Sequence, residues 1–203
     1  MKVKRRYYDI IMYITSIVFT LIAWGAGLLL DRGLQKYGLR EREVELEYRH
    51  NGKPYLKNHP ELFFNLSHSI NLVMAVTSDR PCGCDVEEVR KAVAGVSRRF
   101  FCEEECQEIF SCPEGVQRDR MFTRFWTMKE SYVKMTGTGL TIPLDSFRIL
   151  LPRKMTVGSI IRDGQSEDCA LYDFSEWIES VRGKTTLVMS EQRPVPLEQH
   201  VLV

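Results

Sequence analysis

At 203 residues, with 44% hydrophobic side chains, the chain is long enough and apolar enough to bury a core. Its formal charge is +1, from 28 basic against 27 acidic groups, which excludes a general field for gripping DNA or RNA, so an anionic ligand would have to be held by local charge. Six cysteines, at 82, 84, 102, 106, 112 and 169, follow no zinc-ligand spacing and read as free, reduced thiols of a cytoplasmic protein.

Ile10 to Leu30 contain no charge, and as a helix rising about 1.5 Å per residue they would be roughly 32 Å long, enough to cross a bilayer. Lys2, Lys4, Arg5 and Arg6 precede them, as before a signal anchor. The far end reads as an ordinary helix end: Asp31, Arg32, Gln35 and Lys36 enter the pattern, and Gly38 with Leu39 offers a left-handed cap and its apolar contact. The preferred reading is an apolar helix over 10–37 packed on a core. A membrane anchor through 10–30 and a cleaved signal stay open.

EVELEYRH at 43–50 alternates like a strand, and NGKPYL at 51–56 reads as a turn presenting Lys53 beside a rigid proline. FFNLSHSINLVMAVTS at 63–78 suggests two strands around a Ser-His-Ser bend. SDRPCG at 78–83 is a turn, which divides the chain into an N-terminal lobe, 1–81, and a C-terminal lobe, 82–203. The second lobe is expected to run through a strand from Cys84, a basic glycine-containing loop, an acidic helix start over Glu103 to Phe110, and a helix over Met121 to Thr136. Strands are expected in IPLDSFRILL and near 169–174 and 185–189, and RPVPLEQHVLV carries no motif.

The charged motifs sit in GCDVEEV at 83–89 and FWTMKESYVK at 125–134. Asp85 and Glu87 are two apart, so on a strand their carboxylates share a face. Trp126, Lys129, Glu130, Val133 and Lys134 recur at helical spacing, offering one face with an aromatic anchor, a third carboxylate and two ammonium groups. Three carboxylates beside two lysines describe a site for a divalent cation and a polyphosphate. The bland alternative is surface ion pairing, Glu130 with Lys134 at i,i+4 in particular.

GKPYL, FNLSHS, GCDVE, RRFF and WTMKESYVKMTGTGL, in that order from about Leu28 to Phe147, resemble the Sfp-type 4′-phosphopantetheinyl transferases. The resemblance implies an α+β fold of two similar lobes related by a pseudo-twofold, with coenzyme A between them. It implies Mg²⁺-dependent transfer of 4′-phosphopantetheine to a serine of an apo acyl or peptidyl carrier protein, releasing 3′,5′-ADP. Asp85, Glu87 and Glu130 match the family's metal-binding carboxylates. Lys53, Ser67, His68, Lys129 and Lys134 match positions on the cofactor, and Glu105 aligns with a further acidic site residue. The general base is left open among Glu130, Glu105 and a metal-bound water, with Lys134 beside them in the catalytic set. Arg98, Arg99, Arg118, Arg120 and Arg124 are candidates for docking an acidic carrier domain.

Two departures stand out: an apolar segment, Ile10 to Trp24, replaces the usual polar first segment, and Ile70 replaces the usual glycine after Ser-His-Ser. Two readings of other classes remain: a catalytically weak coenzyme A-binding module, and a membrane-tethered interaction protein.

Overall fold

Leu29, Leu30 and Leu34, together with Ala26, form an apolar stripe, and the first helix is organised by burying it. A computed structural model describes residues 23–69, 72–151, 157–162, 165–173, 186–191 and 199–202, with side chains described through Leu151 except at 72 and 140. Residues 23–34 are helical (α1) and end in a 3₁₀ turn, Gln35–Tyr37. The expected left-handed cap follows, where Gly38 has φ 74° and Leu39 N–H donates to the Leu34 carbonyl. Of the helix expected over 10–37, the part up to residue 22 lies outside the described residues. Among the described residues no helix is long and apolar enough to cross a membrane.

After a 3₁₀ turn at Glu41–Glu43 come β1 (Leu46–Tyr48) and β2 (Pro54–Leu56), an antiparallel hairpin with Leu46 opposite Leu56. The strand expected over 43–50 is therefore only three residues long. β3 (Phe63–His68) and β4 (Leu72–Ser78) are the two strands expected around Ser-His-Ser, and Ile70 and Asn71 between them lie outside the described residues. β5 (Cys82–Asp85) leads to α2 (Ala94–Phe100), α3 (Glu103–Ser111) and α4 (Val116–Thr136). β6 (Arg148–Leu150), β7 (Val157–Arg162), β8 (Gln165–Asp173), β9 (Thr186–Glu191) and β10 (Gln199–Leu202) complete the order.

Two four-stranded sheets result, β10-β9-β4-β3 and β5-β8-β7-β6. The first is antiparallel throughout, whereas in the second β5 runs parallel to β8. Helices and sheets are thus mixed as in an α+β fold. The passage from one sheet to the other falls between β4 and β5. Residues past 82 do not all stay with the second sheet, because β9 returns to pair with β4. The motifless tail supplies β10 at that sheet's edge.

Two helices differ from expectation. α2 occupies the stretch read as a basic loop, because Ser97 and the adjacent Phe100 and Phe101 turn inward against α4. α4 begins at Val116 rather than Met121. Its polar first turn hides the helical period, but Asp119 accepts the Ala92 N–H at 2.8 Å and Thr123 accepts the Arg90 N–H at 2.8 Å, fixing that turn from outside.

α4 carries the main core: Phe122, Phe125, Met128, Tyr132 and Val133 pack on Phe101, Ile109, Leu144, Phe147 and Ile149. Each such side chain contributes on the order of 1.5–3 kcal/mol by burial. Trp126 anchors the same helix, edge-on to Phe100 at 5.6 Å and stacked on Phe122 at 6.4 Å. α4 lies directly on β5, since a Cβ placed on Gly83 would stand 1.9 Å from the Ser131 carbonyl oxygen. Only glycine allows that approach.

Candidate active site

β3 and β5 face each other where the two sheets meet, and side chains close the gap. Alternation along β3 sends Asn65 and Ser67 to one side. There Asn65 Oδ1 accepts the Cys84 N–H at 3.2 Å, and Ser67 Oγ accepts the Val86 N–H at 3.3 Å. Two backbone donors of the β5 segment are thereby satisfied without a neighbouring strand.

Asp85 ends β5 in the middle of this seam. Its Oδ1 accepts the Ser67 hydroxyl at 2.8 Å and the Lys134 ammonium at 2.6 Å, and Lys134 also donates to Ser67 Oγ at 2.8 Å. Ser67 is saturated: its one proton goes to Asp85 and its oxygen accepts from Val86 and Lys134. Asp85 Oδ2 is buried and has no partner. Glu130, one helical turn before Lys134, is partly buried. Burial pushes its carboxyl above the ordinary range, and the Asp85 and Glu87 carboxylates add to this while Lys134 opposes it. Glu87 pairs with Arg90 at 2.7 Å.

The sequence-expected residues thus divide. Ser67, Asp85 and Lys134 are in direct contact, with Glu87 and Glu130 in their electrostatic neighbourhood. Lys53 lies on the hairpin turn and donates to the Met135 carbonyl, while Asn51 donates to the Gly137 carbonyl at 2.5 Å. Both cap the last turn of α4, where Gly137 takes φ 69°. Burial draws the Lys53 ammonium below its ordinary value. His68 is exposed at the end of β3, on the opposite side of the strand from Ser67.

Lys129, expected on the cofactor, and Glu105, one of the three candidate bases, lie apart from this cluster. Neither side chain has exposed surface. The Lys129 ammonium meets Glu105 at 2.9 Å, donates to the Leu144 and Phe147 carbonyls at 2.6 and 2.7 Å, and lies 4.3 Å from the Phe147 ring centre. Glu105 accepts the Ile149 N–H at 2.7 Å and the Cys102 N–H at 3.0 Å. Burial lowers the Lys129 ammonium, and the Glu105 carboxylate pulls it back up. The pair joins α3, α4 and β6 inside the core, because Lys129 lies on the core side of α4 while Glu130 is turned about 100° away.

Asn65 and Asn51 went unnoticed in the sequence. Asn65 could have been found, since it is two residues before Ser67 and shares its strand face. Asn51 could not, because its partner is 86 residues away.

A 4′-phosphopantetheinyl transferase superfamily model matches residues 81–181. The chain is 32% identical over 154 residues to a 4′-phosphopantetheinyl transferase of Bacillus subtilis, covering 75% of this chain and 68% of that protein. The chain belongs to the 4′-phosphopantetheinyl transferase superfamily. It is also 35% identical over 113 residues to 4′-phosphopantetheinyl transferase psf-1 of Bacillus pumilus, covering 56% and 48%. With 4′-phosphopantetheinyl transferase Sfp of Bacillus subtilis strain 168 it shares 31% identity over 132 residues, 65% and 58%. The chain thus spans about half to two thirds of the length of these transferases. The family-matched stretch takes in Asp85, Glu87, Glu105, Lys129, Glu130 and Lys134, while Lys53, Ser67 and His68 precede it.

Members of this superfamily are expected to hold a hard cation and coenzyme A, and the residues can be tested for both. No group of three or more His, Cys, Asp or Glu among the described residues stands close enough to grip a metal ion. The donor chemistry nonetheless fits one: Asp85 Oδ2 is orphaned in the interior, and Glu130 is burdened by two neighbouring carboxylates. A cleft of about 770 Å³ opens beside the α4 C-terminus, between Arg49, His50 and Asn51 of the hairpin and Thr136, Thr138 and Thr141. It offers cations and hydroxyls to an anionic ligand but does not include Asp85, Glu87 or Glu130.

Proposed function

We propose that this chain transfers the 4′-phosphopantetheine group of coenzyme A to a serine of an apo acyl or peptidyl carrier protein, as a holo-[acyl-carrier-protein] synthase. The observation that carries this reading is the seam site: Asp85 with one oxygen on Lys134 and Ser67 and the other unbonded, next to Glu130, within the stretch matched to the family. In the reaction the carrier serine oxygen forms a bond to the β-phosphorus. The bond from that phosphorus to the bridging oxygen breaks, and 3′,5′-ADP leaves with the electron pair.

Asp85, Glu87 and Glu130 would hold Mg²⁺, which when bound supplies positive charge against the pyrophosphate. Lys134 contributes an ammonium to the phosphates, acting as a point charge. We assign Lys53, on the hairpin turn, and His68, exposed at the end of β3, to the coenzyme A side of the site. With Glu105 enclosed in the core, we assign removal of the serine proton to Glu130, which lies in the seam with Asp85. Val89 and Val93 are exposed apolar residues, and Arg98 and Arg99 lie in the last turn of α2, side chains of the kinds that suit an acidic carrier domain. We place the activity in the cytoplasm, a reading supported by the free thiols at 82, 84, 102, 106 and 112.

The test is to incubate the protein with coenzyme A, Mg²⁺ and an apo carrier protein and read the carrier by intact mass. A gain of one phosphopantetheine that disappears in Asp85→Ala and Glu130→Gln supports the proposal. Folded protein that binds coenzyme A and modifies none of several carriers overturns it. The second reading, a coenzyme A-binding module without turnover, would then hold.

A further inference from the structure

Burial explains one face of α1 and leaves the other bare. Leu29, Leu30, Gly33 and Leu34 turn inward, with Gly33 against the Thr77 side chain. Trp24, Leu28, Arg32 and Lys36 recur every fourth residue and all four are exposed, Trp24 by 60% and Leu28 by 37%. The first two make an apolar patch; the next two continue the line with positive charge, and among the described residues neither cation is ion-paired. Asp31, the one acid of α1, is drawn off this line: its oxygens accept the Glu41 N–H at 2.9 Å and the Gln35 amide at 2.7 Å, and Arg40 pairs with it at 3.6 Å. In sequence, the patch lies near the end of an uncharged run, Ile10 to Leu30, which Lys2, Lys4, Arg5 and Arg6 precede.

We propose that the outward face of α1 lies on an anionic lipid surface, in the plane of the headgroups, so that the protein works as a peripheral membrane protein. The inference does not depend on the transferase reading. An indole is stabilised where its ring meets acyl chains and its N–H meets water, a leucine beside it reaches the same apolar layer, and Arg32 and Lys36 meet lipid phosphate. Each cation near such a surface strengthens association by about fivefold. An acidic protein could match the two cations, but the uncharged run that leads into the patch matches hydrocarbon rather than a polar partner. The described part of α1 cannot be surrounded by lipid, because its other face is packed on the first sheet; it can meet a membrane only side-on. Docking leaves the seam open. Alternation sends Phe64 and Leu66 of β3 toward α1 but Asn65 and Ser67 toward β5, so a bilayer against α1 is on the far side of that sheet from Asp85.

The test is flotation of the full chain on vesicles of phosphatidylcholine alone or mixed with phosphatidylglycerol, a format in which aggregates sink. Wild type is expected to bind the anionic vesicles at least about tenfold more tightly than the neutral ones. Arg32→Glu with Lys36→Glu should erase that preference, and Trp24→Ser with Leu28→Ser should weaken binding to both vesicles by about tenfold or more. All four positions are exposed, so unchanged melting temperatures serve as the control for folding. Lipids brominated near the headgroup should quench Trp24 more than lipids brominated at the chain ends; subtracting the signal of Trp24→Phe removes Trp126 and Trp177. Absence of flotation, as for a face that takes a protein partner, overturns the proposal. So does binding undiminished in both double variants, which would place the contact in residues 1–22 alone, or strongest quenching from the chain ends, which would mean a span. Carrier modification is read separately, so failure here leaves the transferase reading standing.

Discussion

Glu105 and Lys129 form an ion pair at 2.9 Å in which neither side chain has any exposed surface. The remaining polar atoms are satisfied by the backbone at Cys102, Leu144, Phe147 and Ile149. Such a pair is costly to break from one side, because the survivor is left charged in the core. Lys129→Met and Glu105→Gln are each expected to lower unfolding stability by about 3–5 kcal/mol in urea titrations. The double substitution should lose less than the sum of the two. Folded Lys129→Met should still bind coenzyme A as wild type does.

Gly83→Ala should be among the more damaging single-methyl additions in the chain, since the added carbon would collide with the Ser131 carbonyl rather than with a flexible side chain. Separating β5 from α4 also moves Asp85 relative to Lys134. A loss of at least about 1–3 kcal/mol is expected by thermal or urea unfolding. Gly27→Ala is the matching control: nothing lies within 4 Å of its Cβ position in α1, and alanine should stabilise that helix by roughly 0.5–1 kcal/mol.

Lys53 and Asn51 bind the carbonyls at the end of α4 before any ligand is present. Lys53→Met should therefore lower the stability of the ligand-free protein, by about 1–2 kcal/mol for the lost charge-assisted bond and helix-end interaction. Differential scanning calorimetry without coenzyme A checks it. An unchanged melting temperature would mean that Lys53 does not cap α4 in solution.

Cys82 and Cys84 are free and buried in β5. Burial pushes the Cys82 thiol up to about 12 and raises Cys84 as well. The folded values exceed the unfolded value of about 8.5, so the native state holds these protons where the unfolded chain has released them. Their contribution to stability is complete below the unfolded value and is lost as pH rises through the folded one. Urea midpoints should fall between pH 9 and 12, less steeply in Cys82→Ala. Iodoacetamide at pH 8 followed by peptide mapping should leave both thiols unmodified.

Much of the candidate site was legible because its signals are local. The i,i+4 Glu130 and Lys134 of α4 follow from helix periodicity, and Ser67 lies on the strand that faces them, whereas Glu87 lies past the end of β5, where strand alternation no longer places it beside Asp85. Lys129 shows where this stops. It is adjacent to Glu130 and carries the same charge as Lys134, and nothing in its neighbours tells it apart from a ligand-binding lysine. Its fate is decided by Glu105, 24 residues earlier, and by the carbonyls of Leu144 and Phe147.

By itself, then, the sequence determined the chain's family, the helices α1, α3 and α4 and the strands β1, β3, β4 and β5, and a set of charged residues suited to a cation and a phosphate. These depend on short-range pattern and residue chemistry. Only the tertiary structure decided which lysine is sealed in the core and which reaches Asp85, that the hairpin caps α4, and that β9 returns to β4. Those outcomes turn on which distant backbone and side-chain groups are left needing a partner once the two sheets and α4 have packed, and that is a property of the packed whole.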